Sequence, residues 1–200
     1  PEFNTRINLI QMGPALVGAY RNQSPQYNIR LDPESFTSVL KQIQKPTLLM
    51  SHVSWGTYKE GGREQLGIYI DDPIGQALLK SENQGIRLFY EHLKTWIGTG
   101  KPCSIMHDPL TVLSYYHSYL VDYIEVAIIL GNDGYTDLTK ESKEYISSLE
   151  YTRLTRLENY LKNKGNAIEG VPIRVRLSLN ADYDSVRKAI LNEIFGSSSK

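Results

Sequence analysis

The chain has 200 residues, 40% of them hydrophobic and 22% charged, with 22 Lys+Arg balanced by 22 Asp+Glu. That composition supports a real core and excludes a disordered segment, and it offers no basic face of the kind a dedicated nucleic-acid binder needs. No apolar run reaches the ~18 residues of a membrane span, and Cys103, the single cysteine, forms no internal disulfide, so a cytoplasmic protein is expected.

Pro1-Glu2-Phe3 reads as a vector scar and Ser197-Ser198-Ser199-Lys200 as a polar tail, which leaves one domain over 4–196. Arg6–Met12 is a short apolar run ending at Gly13-Pro14 and reads as a strand. An apolar strand of a parallel sheet is usually interior, so more sheet is expected on its N-terminal side. Asp32-Pro33-Glu34 opens a helix, with Asp as N-cap and Pro at the first helical position, and Phe36, Val39, Leu40 and Ile43 share one face. Thr47–His52 is a second buried-type strand, and Gly56–Gly67 a glycine-rich loop. Asp72-Pro73 repeats the helix start. Ile86, Phe89, Tyr90, Leu93 and Ile97 form an amphipathic helix closed by Gly98 and Gly100.

His107-Asp108-Pro109-Leu110 is a third Asp-Pro start, followed by Leu113, Tyr116, His117 and Leu120 at helical spacing. Ile124–Leu130 is a strand closed by Gly131-Asn132-Asp133-Gly134. The polar segment 139–166 has room for a surface helix around 149–161. Ile173, Val175, Leu177 and Leu179 alternate with Arg174, Arg176 and Ser178, the period of a strand wet on one face. A last helix starts near Asp182 with Tyr183, Val186, Ile190 and Ile194 inward. Strands alternating with helices predict an α/β domain with a largely parallel sheet.

Taken alone, Asp108 is most simply an N-cap before Pro109. The alternative is a carboxylate at the carboxyl end of a strand, where α/β sheets place ligands; there it could hold a hard cation or a sugar hydroxyl, with His107 beside it donating a proton near neutral pH. Asn22–Asn28 (NQSPQYN) is either a loop whose amides satisfy local backbone or a sugar site, since amides both donate and accept. His52, His92 and His117 show no metal spacing and read as structural or solvent-facing. Arg174 and Arg176 read as a wet strand face, and Cys103 has no catalytic partner.

The order Met12-Gly13, Asn22, Gln26-Tyr27-Asn28, Asp32-Pro33-Glu34 and His107-Asp108-Pro109-Leu110 resembles the inosine/uridine-preferring nucleoside hydrolases. In that family a strand ends in Met-Gly-Gly-Ala, a loop with Gly-Asn follows, then Ala-Glu-Phe-Asn, Asp-Pro-Glu-Ala-Ala and, much later, His-Asp-Pro-Leu-Ala. The resemblance spans Ile7 to Phe195 and is strongest at 7–40 and 102–115. It implies a nucleoside-hydrolase-like α/β fold, a mostly parallel sheet flanked by helices, incomplete on its N-terminal side. The family's N-terminal Asp-x-Asp-x-Gly-x-Asp-Asp, which supplies most calcium ligands and the base that activates water, has no counterpart in this chain.

Residue by residue, the resemblance implies Asp108 as a calcium ligand, His107 as the histidine near the leaving nucleobase, and Met12, Asn22 and Asn28 as ribose-pocket residues. Gln26 stands where the family has Glu, keeping the hydrogen bonding and losing the charge. Pro14 replaces a glycine, His52-Val53-Ser54-Trp55 replaces Asp-Val-Thr, and 139–166 is unlike the family. The implied reaction splits the N-glycosidic bond of a ribonucleoside with water, with Ca2+ gripping ribose hydroxyls and binding the attacking water, through an oxocarbenium-like state. Calcium takes about 6–8 oxygen ligands, so Asp108 alone does not make its site, and this chain by itself is expected neither to hold the metal nor to turn over robustly. The rival reading is a nucleoside-hydrolase-like domain that has lost catalysis and binds. The implied partners are a nucleoside or ribose and a second copy of the chain, with no nucleic acid and no membrane.

Overall fold

The computed structural model describes residues 6–16, 26–55, 65–149, 157–162 and 168–196. The scar and tail assigned to 1–3 and 197–200 lie outside them. The chain divides into two compact units, Pro1–Val53 with Val121–Ala181, and Ser54–Leu120 with Asp182–Lys200.

The first unit is built on a sheet of five described strands in the order β1 (Ile10–Met12), β2 (Thr47–Leu49), β7 (Pro172–Ala181), β5 (Val121–Leu130), β6 (Thr136–Leu138). β1 and β7 are both parallel to β2, while β5 runs antiparallel to β7 and to β6. Four described strands therefore share one direction, and the expected α/β class with a mostly parallel sheet is what forms. Helices α1 (Tyr27–Leu31), α2 (Pro33–Gln42), α7 (Lys140–Ser148) and α8 (Leu157–Lys162) belong to this unit.

Cross-strand register sorts the side chains of β5 and β7 by face. Val126↔Val175 and Ile128↔Ile173 are partners, and with Leu177 they join Leu40 of α2, Ile146 of α7 and Leu157 of α8 in one core. Each such side chain taken fully out of water contributes about 1.5–3 kcal/mol. The intervening pairs Glu125↔Arg176 and Ala127↔Arg174 lie on the other face.

Several expectations are corrected. The first strand covers Ile10–Met12 only, shorter than the expected Arg6–Met12, and it stands at an edge of the described sheet with its residues half-buried. The second ends at Leu49, because Met50 N–H donates to Ser178 Oγ (2.8 Å) and Ser51–Ser54 turns into the short helix α3. The wet face of β7 stops at Arg176: Ser178 is fully buried, engaged by that Met50 bond, and Asn180 is buried too. In place of one helix around 149–161 stand α7, capped by Thr139 Oγ1 on Ser142 N–H (3.2 Å), and α8, with 150–156 outside the described residues. β6 was not anticipated. It is three residues long, too short for a period to show, and follows the turn in which Gly131 N–H donates to Tyr135 O (2.8 Å) and Gly134 adopts φ +86°. Its buried Asp137 accepts from Lys143 Nζ (2.9 Å) and from the Tyr160 hydroxyl, which burial first and this carboxylate second push well above its ordinary pKa.

The second unit holds α4 (Pro73–Lys80), α5 (Gln84–Gly98), α6 (His107–Tyr116), α9 (Tyr183–Gly196) and the antiparallel pair β3 (Gly67–Ile68) and β4 (Ser104–Ile105). The inward face of α5 is Ile86, Tyr90, Leu93 and Ile97; Phe89, expected among them, is 49% exposed. On α6 the inward residues are Leu110 and Leu113, and Tyr116 points out at 72% exposure. No helix among the described residues is long and apolar enough to cross a membrane.

Asp72 is the hub of this unit. Its Oδ1 caps α4 by accepting from Gly75 N–H (2.8 Å), and its Oδ2 accepts from Tyr69 N–H (3.1 Å) and Arg187 Nη2 (2.7 Å). Arg187, on α9, also donates Nη1 to Gly67 O (2.7 Å), tying α9 to β3. Gly75 must lack a side chain, since a Cβ would come 2.1 Å from Tyr69 O. Both ends of the pair are largely buried, and removing one partner leaves an uncompensated charge. Arg187→Ala is therefore expected to lower stability by about 3 kcal/mol in urea denaturation; a loss below about 1 kcal/mol would mark the pair as surface-like.

Candidate functional site

The predicted site residues fall into two groups, one in each unit. In the first unit the Gly13 turn that follows Met12 packs against Gln26, whose side chain caps the helix carrying Asn28. Met12 ends β1 opposite Leu49, and the ladder continues one step further through Gly13 N–H to Leu49 O (2.9 Å). Gly13 then adopts φ +84°, the region that favours glycine, and is followed by a cis bond to Pro14. The Gln26 side chain lies against this turn, 3.4 Å from where a Gly13 Cβ would stand.

Gln26 Oε1 accepts from Asn28 N–H (2.8 Å) and Ile29 N–H (3.3 Å), so it is the N-cap of α1. Its acceptor is thereby engaged, and its Nε2 donor has no hydrogen bond among the described residues. Asn28 is exposed and its side-chain amide is likewise without a hydrogen bond among the described residues. Asn22 lies outside the described residues.

In the second unit, His107 opens α6 half-buried. Its Nδ1 is 2.8 Å from Oγ of Ser54, a fully buried side chain, and the Trp55 ring packs edge-on against the imidazole at 5.3 Å. Burial lowers the His107 pKa from its ordinary value, and the Asp108 charge raises it in part. Ser54 and Trp55 stand 53 or fewer residues from His107 along the chain; the sequence marked them only as a departure from Asp-Val-Thr, and nothing local signals the contact.

Asp108 is not an N-cap. The β3–β4 pairing extends through Met106 N–H to Leu66 O (3.0 Å), so Met106 takes the cap position without a side-chain bond and Asp108 sits exposed in the first turn. There a carboxylate complements the helix dipole. The described residues do not supply a calcium donor set: Asp108 offers one exposed carboxylate, and no group of three or more His, Cys, Asp or Glu side chains suited to a metal comes together among them. His52 is buried, His92 exposed and His117 half-buried, and Cys103 is a buried free thiol.

No protein-family model matches the chain, and no curated protein matches it in sequence. A solved structure does match in fold. It is a plant nucleoside hydrolase, the PpNRh1 enzyme, with a TM-score of 0.55 and 13% identity over 94% of this chain. This chain therefore has a nucleoside-hydrolase-like fold. It covers 51% of that structure's chain, about half its length.

The lowered His107 pKa sets the direction of a pH effect. The unfolded ring takes up a proton below about pH 6.5, while the folded ring resists it until a lower pH. Stability from the neutral buried ring is thus complete above about pH 6.5 and is lost as pH falls toward the folded pKa. The stability difference between the parent and His107→Gln, measured by urea denaturation, should shrink between about pH 7.5 and 5. A difference that stays constant over that span would show that burial does not perturb this ring.

Proposed function

We propose that this chain carries the nucleoside-binding part of a ribonucleoside N-glycosidase, and that on its own it binds nucleosides without hydrolysing them. The observation that carries the reading is the likeness of fold to a plant nucleoside hydrolase over nearly the whole chain. The motifs resembling the inosine/uridine-preferring family then select the residues. Asn28, with its amide donors and acceptor, and Gln26 Nε2 serve ribose hydroxyls, which need both kinds of partner. Met12 supplies an apolar wall beside them, and Asn22 a further amide.

For His107, in the second unit, the resemblance implies a role at the nucleobase. Ser54 engages Nδ1, and Nε2 is the ring nitrogen left for a ligand. An imidazolium that burial disfavours gives up its proton readily, which suits delivery to a departing base. Hydrolysis also requires a base for water and, in the resembling family, calcium, for which the described residues assemble no donor set. The same observation, with Gln26 engaged as a helix cap, favours the second reading of a nucleoside-binding domain without catalysis.

The test is an inosine and uridine assay with and without calcium on the 200-residue polypeptide, paired with calorimetric titration of the same nucleosides. Binding without nucleobase release is expected, and Asn28→Ala should weaken binding by about tenfold, one hydrogen-bonding amide lost. Robust turnover would overturn the binding-only reading. Absence of binding to both nucleosides would overturn the nucleoside assignment itself.

A further inference from the structure

The first unit contains a groove of about 590 Å³ that involves none of the residues assigned to the nucleoside. Its size falls within the roughly 300–1,000 Å³ of small-molecule sites. It runs across the β5–β7 ladder on the face that carries Glu125, Ala127, Arg174 and Arg176. We propose that it binds a small organic carboxylate with an aromatic or aliphatic body.

The groove exists because of a small residue in a fixed frame. Ala127 faces Arg174 across the ladder and leaves a depression between larger neighbours. One wall is the start of α7, locked to Ala127's own backbone: Thr139 N–H donates to Ala127 O (3.2 Å), while Ser142 Oγ accepts from Ala127 N–H (3.0 Å) and donates to Ala127 O (2.9 Å). These bonds hold the wall in place without a ligand, so little ordering cost attends binding.

Charge selects the ligand. Lys45 and Glu125 stand 3.6 Å apart and offset each other. Arg176 lies over the Tyr123 ring at 4.4 Å, which orients its guanidinium while leaving it charged. Arg174 has no ion pair or hydrogen bond among the described residues, and neither has Glu141 on the α7 wall. Two guanidinium groups against one carboxylate leave a single positive charge, which matches a monoanion. A phosphate dianion carries more charge than that balance offsets, whereas a carboxylate fits the guanidinium fork with one charge. Pro172, Ala127 and the half-exposed Tyr145 ring supply apolar wall for the body of the ligand.

The test is a titration of the full chain with hydrocinnamate, read by NMR at the backbone amides of Ala127 and Tyr145 and at the Arg174 side chain. Hydrocinnamyl alcohol and inorganic phosphate are the comparison ligands. Hydrocinnamate is expected to shift all three probes at low-millimolar concentration, with the alcohol and phosphate each about tenfold weaker. Arg174→Gln should weaken binding by about tenfold and Glu141→Gln should strengthen it, with the melting temperature of both exposed-site variants unchanged as the control for folding. Equal binding of the alcohol would reduce the groove to an apolar depression, and tighter binding of phosphate would make it a site for inorganic anions; either overturns the proposal. So would an absence of shifts at these probes, or an Arg174→Gln variant that binds as the parent does.

Discussion

The first unit depends on one constraint, the long antiparallel register between β5 and β7. Because strand side chains alternate, setting Val126 opposite Val175 commits its neighbours on β5 from Tyr123 to Ile129. Ile128 and Ile173 go to the core with Leu40 and Ile146. Glu125, Ala127, Arg174 and Arg176 go to the other face. A slip by one residue would bury two arginines and expose the apolar set, so the register and the core determine each other. The short strands at either side, β2 and β6, are positioned by this ladder more than by their own length: β2 pairs with β7 at two positions and β6 with β5 at three.

The second unit depends on a polar junction of comparable authority. Asp72 caps a helix, receives a backbone donor and pairs with Arg187 from α9. Its two oxygens thereby carry local and long-range roles at once. Three Asp-Pro steps in this chain show how context divides one motif. Asp32 and Asp72 each accept a backbone N–H three residues on, as caps do. Asp108 does not, because strand pairing continues to Met106 and the helix begins before the aspartate arrives. Its carboxylate remains exposed, turned neither to its own helix's cap nor to any metal group among the described residues.

What the sequence made legible was whatever a local period or a cap encodes. The Asp-Pro helices, the apolar strands and the alternation of Ile173 through Arg176 are all of this kind. Details that tertiary contacts decide were not legible. Phe89 lies near enough to the apolar stripe of α5 to be assigned to it, and packing turned it out. Ser178 looks like the wet face of its strand until Met50, far away in sequence, donates to it. The site shows the same division. Met12, Gln26 and Asn28 are assigned through motif order, and the Gln26 side chain meets both the Gly13 turn and the Asn28 N–H. The approach of Ser54 and Trp55 to His107 joins distant segments and carries no local signature.

The chemistry follows from asking which polar atoms the fold has already engaged. Gln26 Oε1 serves two backbone donors of α1, so only its amide donor is left for a ligand. A glutamate there would bring a charge and a second free oxygen at the same position; a glutamine brings neither. His107 Nδ1 is engaged by Ser54 while Nε2 is not. Asn28 keeps its whole amide. On Gln26 and Asn28 in the first unit, what remains is uncharged donors and acceptors, suited to a neutral, hydroxyl-rich ligand and poorly suited to gathering a divalent cation, which needs several anionic oxygens on one point. Those amides favour a ligand met by hydrogen bonds over one met by charge.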